Sequence, residues 1–248
     1  MPQRKKSYIP LLLLLLILAA VIWFRYQLLM SFQNNRLKTW KESGIAIEKL
    51  WAHRVNSLQR FIITGKAFRG FETDLYYDED QHSIRVYHPP LQPNDEDSLD
   101  IIRFLSFADL NKDRFHFDFR GVNASNANKV IQILDSIKTY IPDLSKQIFE
   151  LYELASAAMM ADKGYPTCLN IDEAVLEGHV ELPEIPENIH YISQDISKLK
   201  KLKEKFQGKK IITWKLNYAS WIKGDYIELT KDPDIEIILV NYKTPSYR

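Results

Sequence analysis

Two acidic side chains lie within a stretch of the chain that otherwise resembles a buried strand. Glu72 and Asp74 alternate with apolar and aromatic residues in the run Gly70-Phe71-Glu72-Thr73-Asp74-Leu75-Tyr76-Tyr77. Because side chains alternate faces along a strand, both carboxylates point to one side, about 7 Å apart. Like charges at that distance repel unless a cation lies between them, and hard divalent cations prefer oxygen ligands. The pair therefore predicts a metal site, with a solvent-facing strand edge as the simpler alternative.

Other short apolar runs also end in an ionisable residue. His53 follows Leu50-Trp51-Ala52, His88 follows Ile84-Arg85-Val86-Tyr87, and Asp118 lies in the aromatic run Phe115-His116-Phe117-Asp118-Phe119. In parallel α/β folds the catalytic groups lie at the C-terminal ends of strands. The repeated ending therefore predicts that these residues share one site with Glu72 and Asp74.

The aromatic run also supplies a third carboxylate. Alternation from Arg114 to Arg120 places His116, Asp118 and Arg120 on one face and three phenylalanines on the other, which would pack under helices. Asp118 then joins Glu72 and Asp74 as a ligand for one hard cation such as Ca²⁺ or Mg²⁺. Such a cation can neutralise a phosphoryl oxygen and the attacking oxygen together.

The histidines and arginines extend this chemistry. His53 and His88 can serve as one proton acceptor and one proton donor, and the sequence leaves open which is which. Arg54 and Arg120 are candidates to hold phosphate oxygens. Sugar cleavage by Glu72 and Asp74 is disfavoured, because two acids on one strand do not face each other across a glycosidic bond.

Strands and helices alternate along the chain that carries these residues. The predicted strands are 50–55, 70–77, 83–88, 115–119, 167–171, 189–192, 210–216, 226–229 and 235–242. The predicted helices are 57–63, one from Ser98 that includes Phe107, one that includes 130–137, 144–161 and 197–206. Repeated βα units predict an α/β fold, a (β/α)8 TIM-type barrel. About 200 residues is the lower end for that fold, so one or two units are expected to be short or irregular.

The N-terminus predicts a membrane anchor. A basic cluster, Arg4-Lys5-Lys6, precedes the apolar run Tyr8–Phe24, and about 17 residues is the short end of a membrane span. Bulky residues follow Ala19-Ala20, which favours an uncleaved anchor over a signal peptide. The basic cluster predicts a single-pass protein with a cytoplasmic N-terminus and a periplasmic or extracellular domain. Residues 1–26 would form the tip and anchor, 27–49 a partly helical connector and 50–248 the barrel.

Composition narrows the class of protein. The 248 residues are 46% hydrophobic and 26% charged, enough for one globular domain with an appendage. The net charge of +1 argues against nucleic acid as a partner. The single cysteine, Cys168, excludes an intrachain disulfide and a cysteine-rich zinc cluster, and is expected to be buried.

Several of these motifs resemble those of a known group. Ala52-His53-Arg54, Glu72-x-Asp74 and His88 resemble the signature of the glycerophosphodiester phosphodiesterases, which belong to the phospholipase-C-like TIM barrels. Within that superfamily the sequence is closer to the menorin family. That likeness covers Trp51-Ala52-His53-x-Val55-Asn56-Ser57, Glu72-x-Asp74, His88-Pro89-Pro90 and Asp118-Phe119-Arg120. The later run Ile211-Ile212-Thr213-Trp214-x-Leu216-Asn217 is similar to a late strand of the phosphodiesterases that carries a Trp, which adds Trp214 to the substrate-binding candidates.

The resemblance implies a divalent cation on Glu72, Asp74 and Asp118, with His53 and His88 as the acid–base pair. It also implies cleavage of a glycerophosphodiester or a phospholipid head group. The chain departs from the phosphodiesterase pattern at Val55-Asn56-Ser57, at Pro89, and at Asp118, where a Glu is usual. These departures leave a second interpretation open, a non-catalytic barrel that binds a phosphorylated ligand or a partner at the cell envelope.

Overall fold

The described part of the protein forms a closed parallel barrel. A computed structural model describes residues 8–88, 99–216 and 224–242. Within them, eight parallel strands pair in the order β1, β10, β9, β8, β7, β6, β5, β2, and β2 pairs again with β1. The barrel strands are β1 Leu50–Ala52, β2 Gly70–Asp78, β5 Arg114–Arg120, β6 Ile148–Leu151, β7 Thr167–Asn170, β8 Tyr191–Asp195, β9 Lys210–Leu216 and β10 Ile235–Val240. The predicted TIM-type barrel is confirmed.

One βα unit is irregular, as the chain length predicted. Strand β3 (Ser83–Val86) pairs antiparallel with β2, strand β4 (Leu99–Asp100) pairs antiparallel with β3, and both lie outside the barrel. The helix that returns the chain to β5 is α3, only five residues long. Because β2 extends four residues past Asp74 and β3 runs back beside it, the chain after β3 returns to the level of Asp74.

Helices cover the outside of the barrel. Together with α3 (Ile101–Leu105), they are α1 Ile9–Glu42, α2 Leu58–Thr64, α4 Ala127–Lys138, α5 Leu154–Asp162, α6 Glu173–Leu176, α7 Leu199–Lys205 and α8 Asp225–Thr230. The ring of Phe61 in α2 lies 4.9 Å from that of Phe71 and 5.8 Å from those of Phe104 and Phe115. The aromatic face of β5 therefore packs under helices, as alternation predicted.

Two sequence predictions of secondary structure are wrong. The predicted helix 144–161 contains a short 3-10 turn, the strand β6 and only then α5. All four residues of β6 are buried, because a barrel strand is covered on both faces. Such a strand lacks the polar alternation that marks an exposed strand, so its sequence resembles that of a buried helix. The predicted strand 226–229 is the helix α8, which buries Tyr226 and Thr230 one turn apart on the same face.

A smaller error concerns α3, which ends at Leu105. Leu99 belongs to β4 instead, and Phe107 lies beyond the helix with 55% of its surface exposed. Some predicted features lie outside the described residues: the basic cluster Arg4-Lys5-Lys6, Pro89 and Pro90, Ser98 and Asn217.

Helix α1 is unbroken across the predicted boundary between anchor and connector. Its N-terminal part is exposed and apolar, and α1 meets the length and composition of a membrane span. Its C-terminal part packs on the barrel through Gln33, Leu37 and Trp40, which are buried. The Trp40 ring lies 6.2 Å from that of Tyr226 in α8. One continuous helix thus joins the apolar segment to the barrel.

Candidate active site

One cavity of about 100 Å³ lies at the C-terminal end of the barrel strands. All eight side chains proposed from the sequence line it: His53, Arg54, Glu72, Asp74, His88, Asp118, Arg120 and Trp214. His116, Glu150, Tyr152 and Leu239 complete the lining. At about 30 Å³ per water, this volume suits a cation together with a small polar group.

Three carboxylates converge in this cavity. Glu72, Asp74 and Asp118 each offer an oxygen, and these oxygens lie within 4.8 Å of one another. Burial and the neighbouring carboxylates, first Asp74 and then Asp118, raise the pKa of Glu72 well above its ordinary value. Burial, then Glu150 and Asp74, raises the pKa of Asp118 to about 7. Buried oxygen donors that repel each other in this way fit a hard divalent cation, which would offset their charge.

The loop after β1 orients two of these acids. The backbone N–H of Arg54 donates to Glu72 Oε2 at 2.5 Å, from a left-handed backbone with φ of 59°. The Asn56 amide donates to Asp74 Oδ2 at 2.5 Å, and its Oδ1 accepts from the Asp74 backbone N–H at 2.9 Å. Asn56 is therefore a positioning residue, and the sequence motif that contains it did not indicate that role.

The two histidines lie beside different acids. His53 directly follows β1, and its Nε2 lies 3.6 Å from Glu72 Oε2. His88 Nε2 lies 3.8 Å from Asp74 Oδ1. His88 was predicted at a barrel-strand end, but it follows the antiparallel strand β3, which carries it back down to Asp74.

The environment of His53 favours its neutral imidazole. Burial first, and the Arg54 charge second, lower the pKa of His53 to about 4. Its Nδ1 lies 3.1 Å from Asn241 Oδ1, an acceptor, which assigns the ring proton to Nδ1. The Nε2 lone pair therefore faces the carboxylates and the cavity.

Arg120 brings a cation to the mouth of the cavity. Its Nη2 lies 2.7 Å from Asp118 Oδ2 and its Nε 3.6 Å from Asp74 Oδ1, and its side chain remains 34% exposed. Its guanidinium lies 5.3 Å from the centre of the Tyr152 ring, and the Tyr152 hydroxyl donates to Asp118 Oδ1 at 2.7 Å. Arg120 thus combines acid pairing with donors available to an incoming anion.

Sequence reasoning missed a buried ion pair below the acids. His116 Nε2 lies 2.7 Å from Glu150 Oε2, and Asn170 donates to Glu150 Oε1 at 2.6 Å. Burial would raise the pKa of Glu150, but His116 and the hydrogen bonds of its carboxylate lower it. Glu150 lies on β6, the strand mistaken for a helix. A signal was nevertheless present, because His116 shares the inward face with Asp118 and a buried histidine needs a partner.

Comparisons with known proteins bear on the fold. No family model matches the sequence, and no curated protein matches it. A candidate glycerophosphoryl diester phosphodiesterase from Silicibacter pomeroyi superposes with a TM-score of 0.59 at 10% identity, over 77% of this chain and 89% of that one. A candidate glycerophosphodiester phosphodiesterase from Galdieria sulphuraria gives 0.54 at 12% identity, over 80% and 95%.

A glycerophosphoryl diester phosphodiesterase from Parabacteroides distasonis gives 0.52 at 13% identity, over 77% of this chain and 81% of that one. At such identities the likeness establishes the fold, which is the barrel of the glycerophosphodiester phosphodiesterases. The predicted resemblance is confirmed for the fold. The closer likeness to the menorin family stays a prediction.

Proposed function

We propose that the protein is a metal-dependent phosphoric diester hydrolase. The proposal rests on one observation: three buried carboxylates whose oxygens lie within 4.8 Å, with one imidazole beside Glu72 and another beside Asp74, in a barrel of the phosphodiesterase fold. Glu72, Asp74 and Asp118 would hold Ca²⁺ or Mg²⁺. When bound, such a cation would neutralise charge on a phosphoryl oxygen and on the attacking oxygen.

The remaining side chains divide the other tasks. His53, neutral at pH 7 and with Nε2 facing the cavity, accepts the proton from the attacking oxygen. His88, whose Nε2 lies beside Asp74, donates a proton to the leaving alcohol. Arg54, Arg120 and Trp214 line the cavity and bind the phosphodiester, with Arg120 as the charge at its mouth.

The same proposal includes a membrane anchor. The exposed apolar part of α1 would cross the bilayer, and the basic cluster before it would keep the N-terminus in the cytoplasm. The barrel would then lie on the periplasmic or extracellular side, and residues 50–248 would form its domain. The division into anchor, connector and barrel is part of this proposal.

A phosphodiester panel tests the proposal. The purified chain is assayed with added Ca²⁺ or Mg²⁺ and after chelation, together with His53→Gln and Glu72→Gln. His179→Gln replaces an exposed histidine outside the cavity and is the matched control. We expect hydrolysis that requires the cation and falls by about 10²–10⁴-fold in His53→Gln, with His179→Gln unchanged.

Hydrolysis that survives both site substitutions would refute the assignment. Calorimetry with the same ions and phosphorylated ligands distinguishes the hydrolase from the alternative, a barrel that binds but does not cleave. Tight binding without turnover would identify a non-catalytic barrel that binds a phosphorylated ligand, and strong turnover would exclude that interpretation.

A further inference from the structure

The direction of α1 along the barrel relates the cavity to the apolar segment. Tyr242 lies two residues past β10, at the same end of the barrel as the cavity, and its hydroxyl donates to Asn34 Oδ1 at 2.6 Å. Leu37 and Lys41, further along α1, border a groove with Gly70 and Arg114, the first residues of β2 and β5. The Tyr242 ring also packs against Phe68, which borders the same groove, with 5.2 Å between the ring centres. The C-terminal part of α1 therefore lies near the first residues of β2 and β5, and its N-terminal part points towards the cavity end.

From Asn34 towards its N-terminus, α1 continues without a break to Ile9. Towards the N-terminus of α1, Phe32 packs against the hydrophobic core, and Tyr26, Leu29 and Met30 are only partly exposed. The exposed apolar run up to Phe24 precedes them. The nine residues from Arg25 to Asn34 rise about 14 Å in a helix. The cavity and the apolar segment therefore lie on the same side of the barrel.

A bilayer around the apolar segment would face the cavity mouth at short range. The polar head-group layer adds about 5–8 Å beyond the hydrocarbon core on each side, which spans roughly half of the 14 Å rise. The other half of the 14 Å is spanned if the head group rises slightly from this layer or if α1 is tilted. A soluble substrate gains nothing from this orientation, whereas a lipid head group is presented directly to the site.

We propose that the substrate is a glycerol-based phosphodiester that still carries at least one acyl chain and is presented by the leaflet next to the barrel mouth. This inference rests on the proposed hydrolase function. In the reaction, a water oxygen bonds to phosphorus and the bond from phosphorus to one alcohol oxygen breaks. The water proton goes to His53, the leaving oxygen takes a proton from His88, and the products are a phosphomonoester and an alcohol.

The test compares two substrates on the full chain in vesicles. Lysophosphatidylcholine in phosphatidylcholine vesicles represents the lipid, and glycerophosphocholine represents the soluble diester, with ³¹P NMR following both in the presence of the cation. A helical spacer of about 18 residues, five turns and ~27 Å, inserted after Arg25 moves the mouth away without turning the barrel. The same spacer inserted before Tyr8 lengthens the opposite side of the segment and is the matched control.

We expect the lipid to be the better substrate, and the spacer after Arg25 to lower its hydrolysis at least tenfold. Hydrolysis of glycerophosphocholine should be unchanged in both spacer variants, which also reports that the barrel is folded. If the soluble diester is cleaved and the lipid is not, or if lipid cleavage ignores the spacer, the inference is overturned and the hydrolase function stands. If neither substrate is cleaved under any condition, the hydrolase function and the inference both fall.

Discussion

Asp118 and Glu150 occupy paired positions on the adjacent strands β5 and β6, yet their carboxylates have separate partners. Asp118 contacts Arg120 and Tyr152, both at 2.7 Å, at the mouth of the barrel. Glu150 contacts His116 and Asn170 in the buried interior. The two acids, although neighbours, are therefore expected to do different work, Asp118 as a cation ligand and Glu150 as half of a structural ion pair.

Substitution separates these two roles. Asp118→Asn should weaken Ca²⁺ or Mg²⁺ binding by more than the roughly 10–100-fold typical of an outer-shell change. Glu150→Gln should weaken ion binding by no more than this roughly 10–100-fold. It should lower the free energy of unfolding by about 1–3 kcal/mol, because His116 loses its charged partner. Ion titration by calorimetry and urea unfolding measure the two effects. Equal loss of ion binding in both variants would show that Glu150 is itself a ligand.

Stability of the ion-free protein should depend on pH through the clustered acids. The folded pKa of Asp118, about 7, exceeds its ordinary value of 3.8, so the folded state binds more protons than the unfolded chain between those values. This contribution to stability is present below about pH 4 and is lost as the pH rises through about 7. His53 has the opposite effect: because its folded pKa is lowered, its contribution to stability rises with pH between about pH 4 and 6.5.

A divalent cation should offset the loss of stability that ionisation of the acids causes at high pH, because it binds their ionised form. At 100 times its dissociation constant it adds about 2.7 kcal/mol. Thermal unfolding should therefore show a larger rise in Tm on addition of Ca²⁺ or Mg²⁺ at about pH 8 than at about pH 5. The difference should vanish in Asp118→Asn. An equal rise at both pH values would mean that the ion binds elsewhere.

Asn241 should matter through His53. Its Oδ1 accepts the Nδ1 proton, so Asn241→Ala removes the group that holds the imidazole in its reactive tautomer. We expect kcat to fall about 10–100-fold with little change in KM. Asn241→Asp keeps the acceptor and adds a negative charge, which should raise the His53 pKa and move the acid limb of the kcat profile to higher pH. Unaltered pH profiles in both variants would exclude this positioning role.

Helix α1 should stabilise the barrel as well as carry the apolar segment. Trp40 is only 3% exposed and packs near Tyr226, so Trp40→Ala should cost about 3–5 kcal/mol. Trp23, on the same helix, is 62% exposed and supplies a matched control, whose replacement should change barrel unfolding by less than about 0.5 kcal/mol. Denaturant unfolding in detergent measures both. Equal effects would mean that α1 does not pack on the barrel as described.

Local pattern was enough to predict most of the candidate site. Period-two alternation in β2 and β5 placed Glu72, Asp74 and Asp118 on one inward face, and register pairing of Asp74 with Asp118 brings them together. The repeated βα order predicted the barrel, because parallel strands need crossover connections and these turn in one direction. Where the pattern was ambiguous, prediction failed: buried β6 has no alternation, and α8 is too short to show a helical period.

The sequence by itself determined which residue types can hold a cation, which strands carry them, and that an apolar segment precedes the barrel. Only the tertiary structure decided the rest: that His88 reaches Asp74 along an antiparallel strand, that Glu150 pairs with His116, and that the N-terminal part of α1 points towards the cavity end. The reason is physical. Alternation is a property of neighbouring residues, whereas pairing across strands and helix direction depend on contacts between residues far apart in the chain, which closure of the barrel creates.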